Sequence, residues 1–189
     1  MHDCGKMKPN LNDEIRIVEL VKSESLPRLE DQYSTAAYYD LSIIHESKGW
    51  RTELSLKPLD NPYLRNYTGR FFEEHIEEPR VFTAVLGEKQ VGWIELGYDK
   101  WNNRMRVWEF LVKREFRGKG IGAMLMTWAK KVAKERGARM LVLETQSNND
   151  SAIAFYLEQG FELIGFDAAA YSNNDIEKKE IRLEFGFKL

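Results

Sequence analysis

The sequence predicts one α/β domain, a mixed and largely antiparallel sheet flanked by helices. Three observations carry this. Between Val81 and Val112, three apolar runs are separated by short polar turns, the pattern of an antiparallel meander. The third run leads through Arg117-Gly118-Lys119-Gly120-Ile121-Gly122 into an amphipathic segment, so a strand, a glycine-rich turn and a helix start follow in order. Beyond it, two helical stretches, each stopped by a glycine (Gly137 and Gly160), alternate with strands.

The elements follow in chain order. Residues 1–13 read as a polar leader and 14–189 as a single domain. Glu14 to Leu20 alternates like a strand. Leu26 to Tyr38 reads as helical, with Pro27 in its first turn. Tyr39 to His45 and Trp50 to Leu56 carry strand-forming residues around Ser47-Lys48-Gly49, a hairpin pattern. Pro58 to Tyr67 holds two prolines and reads as loop. Thr68 is a suitable N-cap for a short helix through Glu77, stopped by Pro79. The meander strands are 81–86, 90–98 and 104–112. A helix over 120–136, a strand over 138–145, a helix over 149–159 and strands over 161–167 and 179–187 complete the chain.

Composition narrows the function classes. The chain has 189 residues, 43% of them apolar, enough for a real core. Its formal charge of −2 carries no global basic character that would suggest nucleic acid. Cys4 is the single cysteine, and His2, His45 and His75 are scattered, so no metal-ligand spacing is present. No run is apolar enough to span a bilayer, and the start lacks a signal-peptide core. The expectation is a cytoplasmic protein without metal, membrane or nucleic-acid partner.

The glycine turn is a phosphate-binding arrangement. Glycines let backbone N–H groups approach an anion, and a helix start adds unpaired amides and partial positive charge. A Walker A loop is excluded, because Lys119 is followed by Gly120 and Lys113 stands where the first glycine belongs. A dinucleotide fingerprint fits Gly118-x-Gly120-x-x-Ala123, with Glu144 as a conceivable ribose acid. However, the turn lies too far from its strand, and too little chain follows for a doubly wound sheet.

A third reading is coenzyme A. Arg117-x-x-Gly120-x-Gly122 resembles the Arg/Gln-x-x-Gly-x-Gly/Ala signature of the GNAT superfamily (general-control-related N-acetyltransferases). Asn149-x-x-Ala152-x-x-Phe155-Tyr156-x-x-x-Gly160-Phe161 is similar to its second motif. The two together span roughly Val81 to Phe166. The resemblance implies acetyl-CoA as cosubstrate, with a sheet splayed between its fourth and fifth strands, here 104–112 and 138–145. It places the pyrophosphate on the amides of Arg117, Gly118, Lys119, Gly120, Ile121 and Gly122. It places the pantetheine along Leu111, Val112 and Asn149, with Tyr156 near the sulfur. Homodimers are common in the superfamily.

The chemistry of amine acetylation selects the catalytic candidates. The amine must be neutral to attack, and the leaving thiolate needs a proton. Tyr156, a phenol protonated at neutral pH, suits the acid; the rival reading is a buried structural tyrosine. Glu109, a carboxylate inside an apolar strand on the side of Val107 and Leu111, suits the base or the amine-binding group. Its rival readings are an ion pair with Arg104 or Arg106, or a solvent-facing edge. Glu95 and Glu144 are further strand acids. Asp40 and Glu53 lie on the N-terminal hairpin, and Trp93, Trp101 and Trp108 could flank a cation. No nucleophile is placed for a covalent intermediate, so transfer is expected to be direct.

A narrower resemblance concerns the acceptor. Leu141 to Gln146, Tyr171-Ser172-Asn173 and Glu180-Ile181-Arg182-Leu183 look like streptothricin acetyltransferases, which acetylate an amine of a cationic antibiotic. Tyr171 then becomes a candidate for the acceptor pocket. An aminoglycoside, polyamine or protein amine as acceptor, or a non-catalytic acetyl-CoA-binding regulator, are the other readings.

Overall fold

The computed structural model describes residues 15–23 and 26–189. The polar leader, Cys4 and the Glu14 end of the first strand lie outside these residues. The strands are β1 (Ile15–Leu20), β2 (Leu29–Glu46), β3 (Gly49–Gly69), β4 (Arg80–Leu86), β5 (Lys89–Asp99), β6 (Arg104–Val112), β7 (Met140–Gln146), β8 (Glu162–Asp167) and β9 (Arg182–Lys188). The α-helices are α1 (Ile121–Arg136) and α2 (Asp150–Glu158), and a 3-10 turn covers Arg114–Phe116.

Seven strands form one sheet in the order β1-β4-β5-β6-β7-β9-β8, and β2 and β3 form a separate hairpin. All neighbours in the large sheet are antiparallel except β6 and β7. That parallel pair is joined only at Arg104↔Met140, Met105↔Leu141 and Arg106↔Val142. Beyond it the two strands diverge, so the β7-facing edge of β6 from Val107 to Val112 is open. The mixed sheet, the meander and the splay expected from the sequence are all present.

Helix α1 packs on one face of the sheet through Ile121, Leu125, Met126, Ala129, Val132 and Ala133, the apolar stripe of a 3.6-residue period. Helix α2 adds Ile153 and Tyr156. On the opposite face, Trp93 and Leu111 pack on Leu29 at the base of the hairpin. The hairpin is also tied to the β7–α2 connection. The Tyr39 amide donates to the Ser147 carbonyl at 2.9 Å, and the Thr35 hydroxyl donates to the Asn148 carbonyl at 2.9 Å.

Three expectations for the N-terminal half are corrected. Residues 29–38 are strand, not helix. Their alternation of Leu29, Asp31, Tyr33 and Thr35 facing inward with exposed residues between them is the period of a half-buried strand. Residues 58–67 belong to β3 rather than to a loop. The prolines act where a strand can spare them: Thr35 pairs with Tyr63 and Ala37 with Pro58, so 59–62 bulge out of the ladder. Residues 68–77 contain no helix. Thr68 still pairs with Glu30, and Phe72 and Glu78 take positive φ values of 59° and 47° that no helix accepts.

Candidate functional site

The glycine turn is built as an anion cradle. Gly118 and Gly120 hold φ of 69° and 81°, conformations that side-chain-bearing residues rarely adopt. Gly120 caps α1 with no side chain accepting from the first turn. Its carbonyl accepts from the Met124 amide at 3.0 Å, the first bond of the helix, so the amides of Ile121, Gly122 and Ala123 precede the helical ladder. Nothing lies within 4 Å of a Cβ built on Gly118. These features fit a diphosphate approaching the backbone closely.

The turn opens onto a cleft of about 700 Å³ that follows the splay. Leu111, Val112, Arg117, Gly118, Gly120, Ile121, Gly122, Asn149 and Tyr156 line it, together with Glu144. Lys119 does not line it; its ammonium turns back to the Glu115 carbonyl at 2.8 Å and over the Phe116 ring. The Arg117 guanidinium reaches across the cleft, donating to the Val112 carbonyl at 2.9 Å and pairing with Asp31. The Asn149 side chain caps α2, accepting from the Ala152 amide at 3.4 Å. Tyr156 stands among Phe110, Phe155, Phe161 and Phe185, and its hydroxyl makes no hydrogen bond among the described residues. Burial raises its pKa further, so the phenol stays a proton donor throughout the neutral range.

Sequence reasoning missed the far wall of this cleft. Asp31 and Tyr33 of β2 and Tyr67 of β3 line it. Read as helix and loop, those segments gave no face to assign. The alternation from Leu29 to Thr35 was the available signal.

Glu109 is re-aimed by a β-bulge. In the β5–β6 ladder Glu95 pairs with Glu109, whereas Leu96 pairs with Val107, leaving Trp108 as the extra residue. The bulge breaks the alternation. Val107 stays on the α1 side, in the main core, while Glu109 turns with Leu111 to the hairpin side. The expected common side with Val107 is therefore wrong, and that with Leu111 is right. Glu109 lines a smaller cavity of about 390 Å³ with Arg28, Glu30, Thr68, Gly69, Arg70 and Glu73, beside the Tyr67 and Leu111 that line the main cleft. Gly69 makes room for it: a Cβ there would lie 2.6 Å from the carboxylate.

The ion-pair rival for Glu109 is removed. Arg106 instead approaches Asp99 at 3.4 Å and Glu184 at 3.8 Å. Arg104 Nε is buried without a partner, as is Glu109 Oε2. Burial alone raises the Glu109 carboxyl to about 7. That is the range in which a carboxylate works as a base at neutral pH.

The other candidates separate. Glu95 is 0% exposed; it accepts from the Phe72 amide at 2.6 Å, and burial, with Glu73 adding to it, raises its carboxyl to about 7. Glu95 thus fastens the β3–β4 connection, and it lines neither cavity. Glu144 lines the main cleft but pairs with Arg182 at 2.7 Å. Tyr171, pushed up to about 12 by burial first and Glu144 second, stands beside that group. Asp40 pairs with Lys57 within the hairpin. Trp101 is 85% exposed in the β5–β6 turn. Neither Asp40 nor Trp101 lines a cavity. Trp93 is buried, while Trp108 lines the cleft, with His75 at 4.9 Å and Arg106 at 5.6 Å from its ring.

One stability prediction follows from Glu95. A carboxyl raised in the folded state binds protons more tightly than in the unfolded chain. Its contribution is therefore neutral well below the unfolded value of 4.5, turns unfavourable as pH rises toward 7, and is fully unfavourable above. Glu95→Gln keeps the acceptor for Phe72 and removes the charge. It is expected to stabilise the fold by about 2 kcal/mol at pH 8 and by close to nothing at pH 4, read from urea midpoints. Equal effects at both pH values would contradict the assignment.

A family model described as the acetyltransferase (GNAT) family matches residues 43–161, which include β6, the glycine turn and α2. The chain belongs to that family. It is an acetyl-CoA-dependent N-acetyltransferase. A streptothricin acetyltransferase of Streptomyces lavendulae is 29% identical over 163 residues, covering 82% of this chain and 84% of the relative. A Bacillus anthracis protein assigned as a streptothricin acetyltransferase, solved with acetyl coenzyme A, superposes with a TM-score of 0.71 at 26% identity, over 93% of this chain and 97% of that one. The structure of a nourseothricin acetyltransferase superposes with a TM-score of 0.72 at 29% identity, over 93% and 98%. Among the described residues, no helix is long and apolar enough to cross a membrane.

Proposed function

We propose that this acetyltransferase modifies a primary amine of a streptothricin-type cationic antibiotic and so confers resistance to it. The extent of the structural likeness carries this reading. The part of the chain left unmatched by the streptothricin and nourseothricin enzymes is too small to hold the β2–β3 hairpin, the element that walls the acceptor side. The smaller cavity supports it: there Glu30, Glu73 and Glu109 outnumber Arg28 and Arg70, which favours a cation, whereas Asp31 and Glu144 in the main cleft are already paired with Arg117 and Arg182.

In this reading the amides of Gly118 and Gly120 to Gly122 hold the pyrophosphate of acetyl-CoA, and Arg117 offers its guanidinium to the same anion. Backbone groups of Leu111 and Val112, with Asn149, guide the pantetheine into the splay. The ammonium of the acceptor gives a proton to Glu109, directly or through water. The neutral nitrogen then attacks the thioester carbonyl, the C–S bond breaks, Tyr156 protonates the departing thiolate, and the proton that the nitrogen sheds on becoming an amide returns to the phenolate, directly or through water. Transfer is direct, in a ternary complex.

The test is a panel of streptothricin, an aminoglycoside, spermidine and an alanine-ended peptide, followed by coenzyme A release. Streptothricin is expected to give a kcat/KM at least about 100-fold above the others, a transition-state preference of about 2.7 kcal/mol. A higher value for the peptide or polyamine would reject the acceptor while leaving acetyl transfer intact.

A further inference from the structure

We propose that Asp31 changes partners during the reaction: it binds the Arg117 guanidinium across the cleft, and it takes a cation of the acceptor when that guanidinium turns to the diphosphate of acetyl-CoA. This rests on the reading of the cleft as the acetyl-CoA channel with a cationic acceptor, and adds to it a residue that selects the acceptor.

Arg117 is a bar across the channel. Its Nε donates to the Val112 carbonyl at 2.9 Å, and its Nη2 pairs with Asp31. The Lys113 amide donates to the Val91 carbonyl of β5 at 3.0 Å. Antiparallel pairing alternates along a strand, so the backbone groups of Val112 point the other way, to the open edge that faces β7. A guanidinium on that carbonyl, tied to the hairpin beyond, lies across the edge that the pantetheine follows. The ion pair and acetyl-CoA therefore compete: the diphosphate for the guanidinium, the pantetheine for the carbonyl. The wall itself does not depend on this pair. Arg114 Nη2 donates to the Gln32 carbonyl at 3.0 Å, and the Thr35 hydroxyl fastens the same strand to Asn148 on the far bank. Arg117 can leave while β2 keeps Asp31 on the cleft.

The released carboxylate calls for a cation. The Asp31 side chain is only 16% exposed, and a carboxylate left unpaired in that wall, near a diphosphate, is costly. Its place suits a second charge on the acceptor. Leu29 pairs with Gly69 and Asp31 with Tyr67, and a Cβ on Gly69 would meet the Glu109 carboxylate. Asp31 thus sits two strand positions, about 7 Å, from the point beside Glu109, on the same face of the hairpin. An acceptor with its reacting ammonium on Glu109 and a second cation about 7 Å away meets both carboxylates. Tyr33 and Tyr67, which line the cleft with Asp31, add aromatic rings that suit the same cation. The pair of carboxylates selects a dication over a simple amine.

Calorimetric titration of the intact protein tests the exchange. Asp31→Asn keeps the shape of the side chain and removes its charge. The variant is expected to bind acetyl-CoA about fivefold more tightly than the wild type, the upper range for releasing a partly exposed ion pair. Streptothricin is then titrated with coenzyme A at saturation, which carries no acetyl group and allows no turnover. Here the variant is expected to bind about tenfold more weakly than the wild type, having lost one charge-assisted contact. Opposite shifts in one variant do not arise from impaired folding, which weakens both. If streptothricin does not bind the wild type, the acceptor reading has failed, and spermidine takes its place in the same titration. Unchanged or weaker acetyl-CoA binding by Asp31→Asn, or an unchanged affinity for the cation, would overturn the proposal, as would a wild type that binds neither cation.

Discussion

Replacing Glu109 by Gln is expected to lower kcat about 100-fold, the loss typical of removing a positioned general base. The wild-type rate should rise with pH and level off above about 7, where burial places the carboxyl. The sign follows from the role: the base must be ionised, so activity is lost as pH falls through that value. In the variant this limb disappears. If Glu109 only held the ammonium, KM would rise with kcat nearly unchanged, because uniform binding energy is lost without affecting the chemical step. Tyr156→Phe separates the second half of the reaction. It should lower kcat roughly tenfold with acetyl-CoA affinity unchanged, since proton donation concerns only the departing thiolate. An unaltered rate would leave Tyr156 as a structural member of its aromatic cluster.

The second large effect concerns the cradle. Gly120→Val is expected to raise the Kd for acetyl-CoA about 30-fold, equivalent to losing roughly 2 kcal/mol of charge-assisted backbone contact. Gly120 holds φ of 81° at the helix cap, where a β-branched residue is strained. Relaxing that strain moves the Gly120 and Ile121 amides. The same strain should lower Tm by about 2–6 °C, so affinity is to be measured well below the transition. Unchanged affinity would mean that this corner does not carry the diphosphate.

Much of the C-terminal half was legible because its signals are local. Glycines at 118, 120, 137 and 160 must take positive φ, and the meander strands alternate around short turns. The splay followed from the family resemblance, and the β6–β7 ladder indeed ends at Arg106 and Val142. The N-terminal half was not legible, because its strands are defined by each other. Residues 29–38 become a strand by pairing with 57–69, forty positions away at the far end, and Pro58 and Pro62 looked like loop until the bulge gave them a place.

The Glu109 site shows the same limit at finer scale. Its residue type and strand were readable, but the face it occupies was not. One extra residue, Trp108, reverses the parity between Val107 and Glu109, and no sequence period records a bulge. Asp31 and Tyr33 were marked by the alternation from Leu29 to Thr35, a signal that the helical reading of the segment passed over. Tyr67 depends on the hairpin register, which sets it opposite Asp31.

Acetyl-CoA lying along the splay, with its diphosphate on the glycine corner, underlies every assignment above. Amide hydrogen exchange with and without acetyl-CoA measures this directly. The expected result is slowed exchange confined mainly to residues 118–123 and to the open edge of β6 from Val107 to Val112, with 42–53 unaffected by the ligand. Slowing that spares both segments, or that falls on β4 and the outer strands, would contradict it.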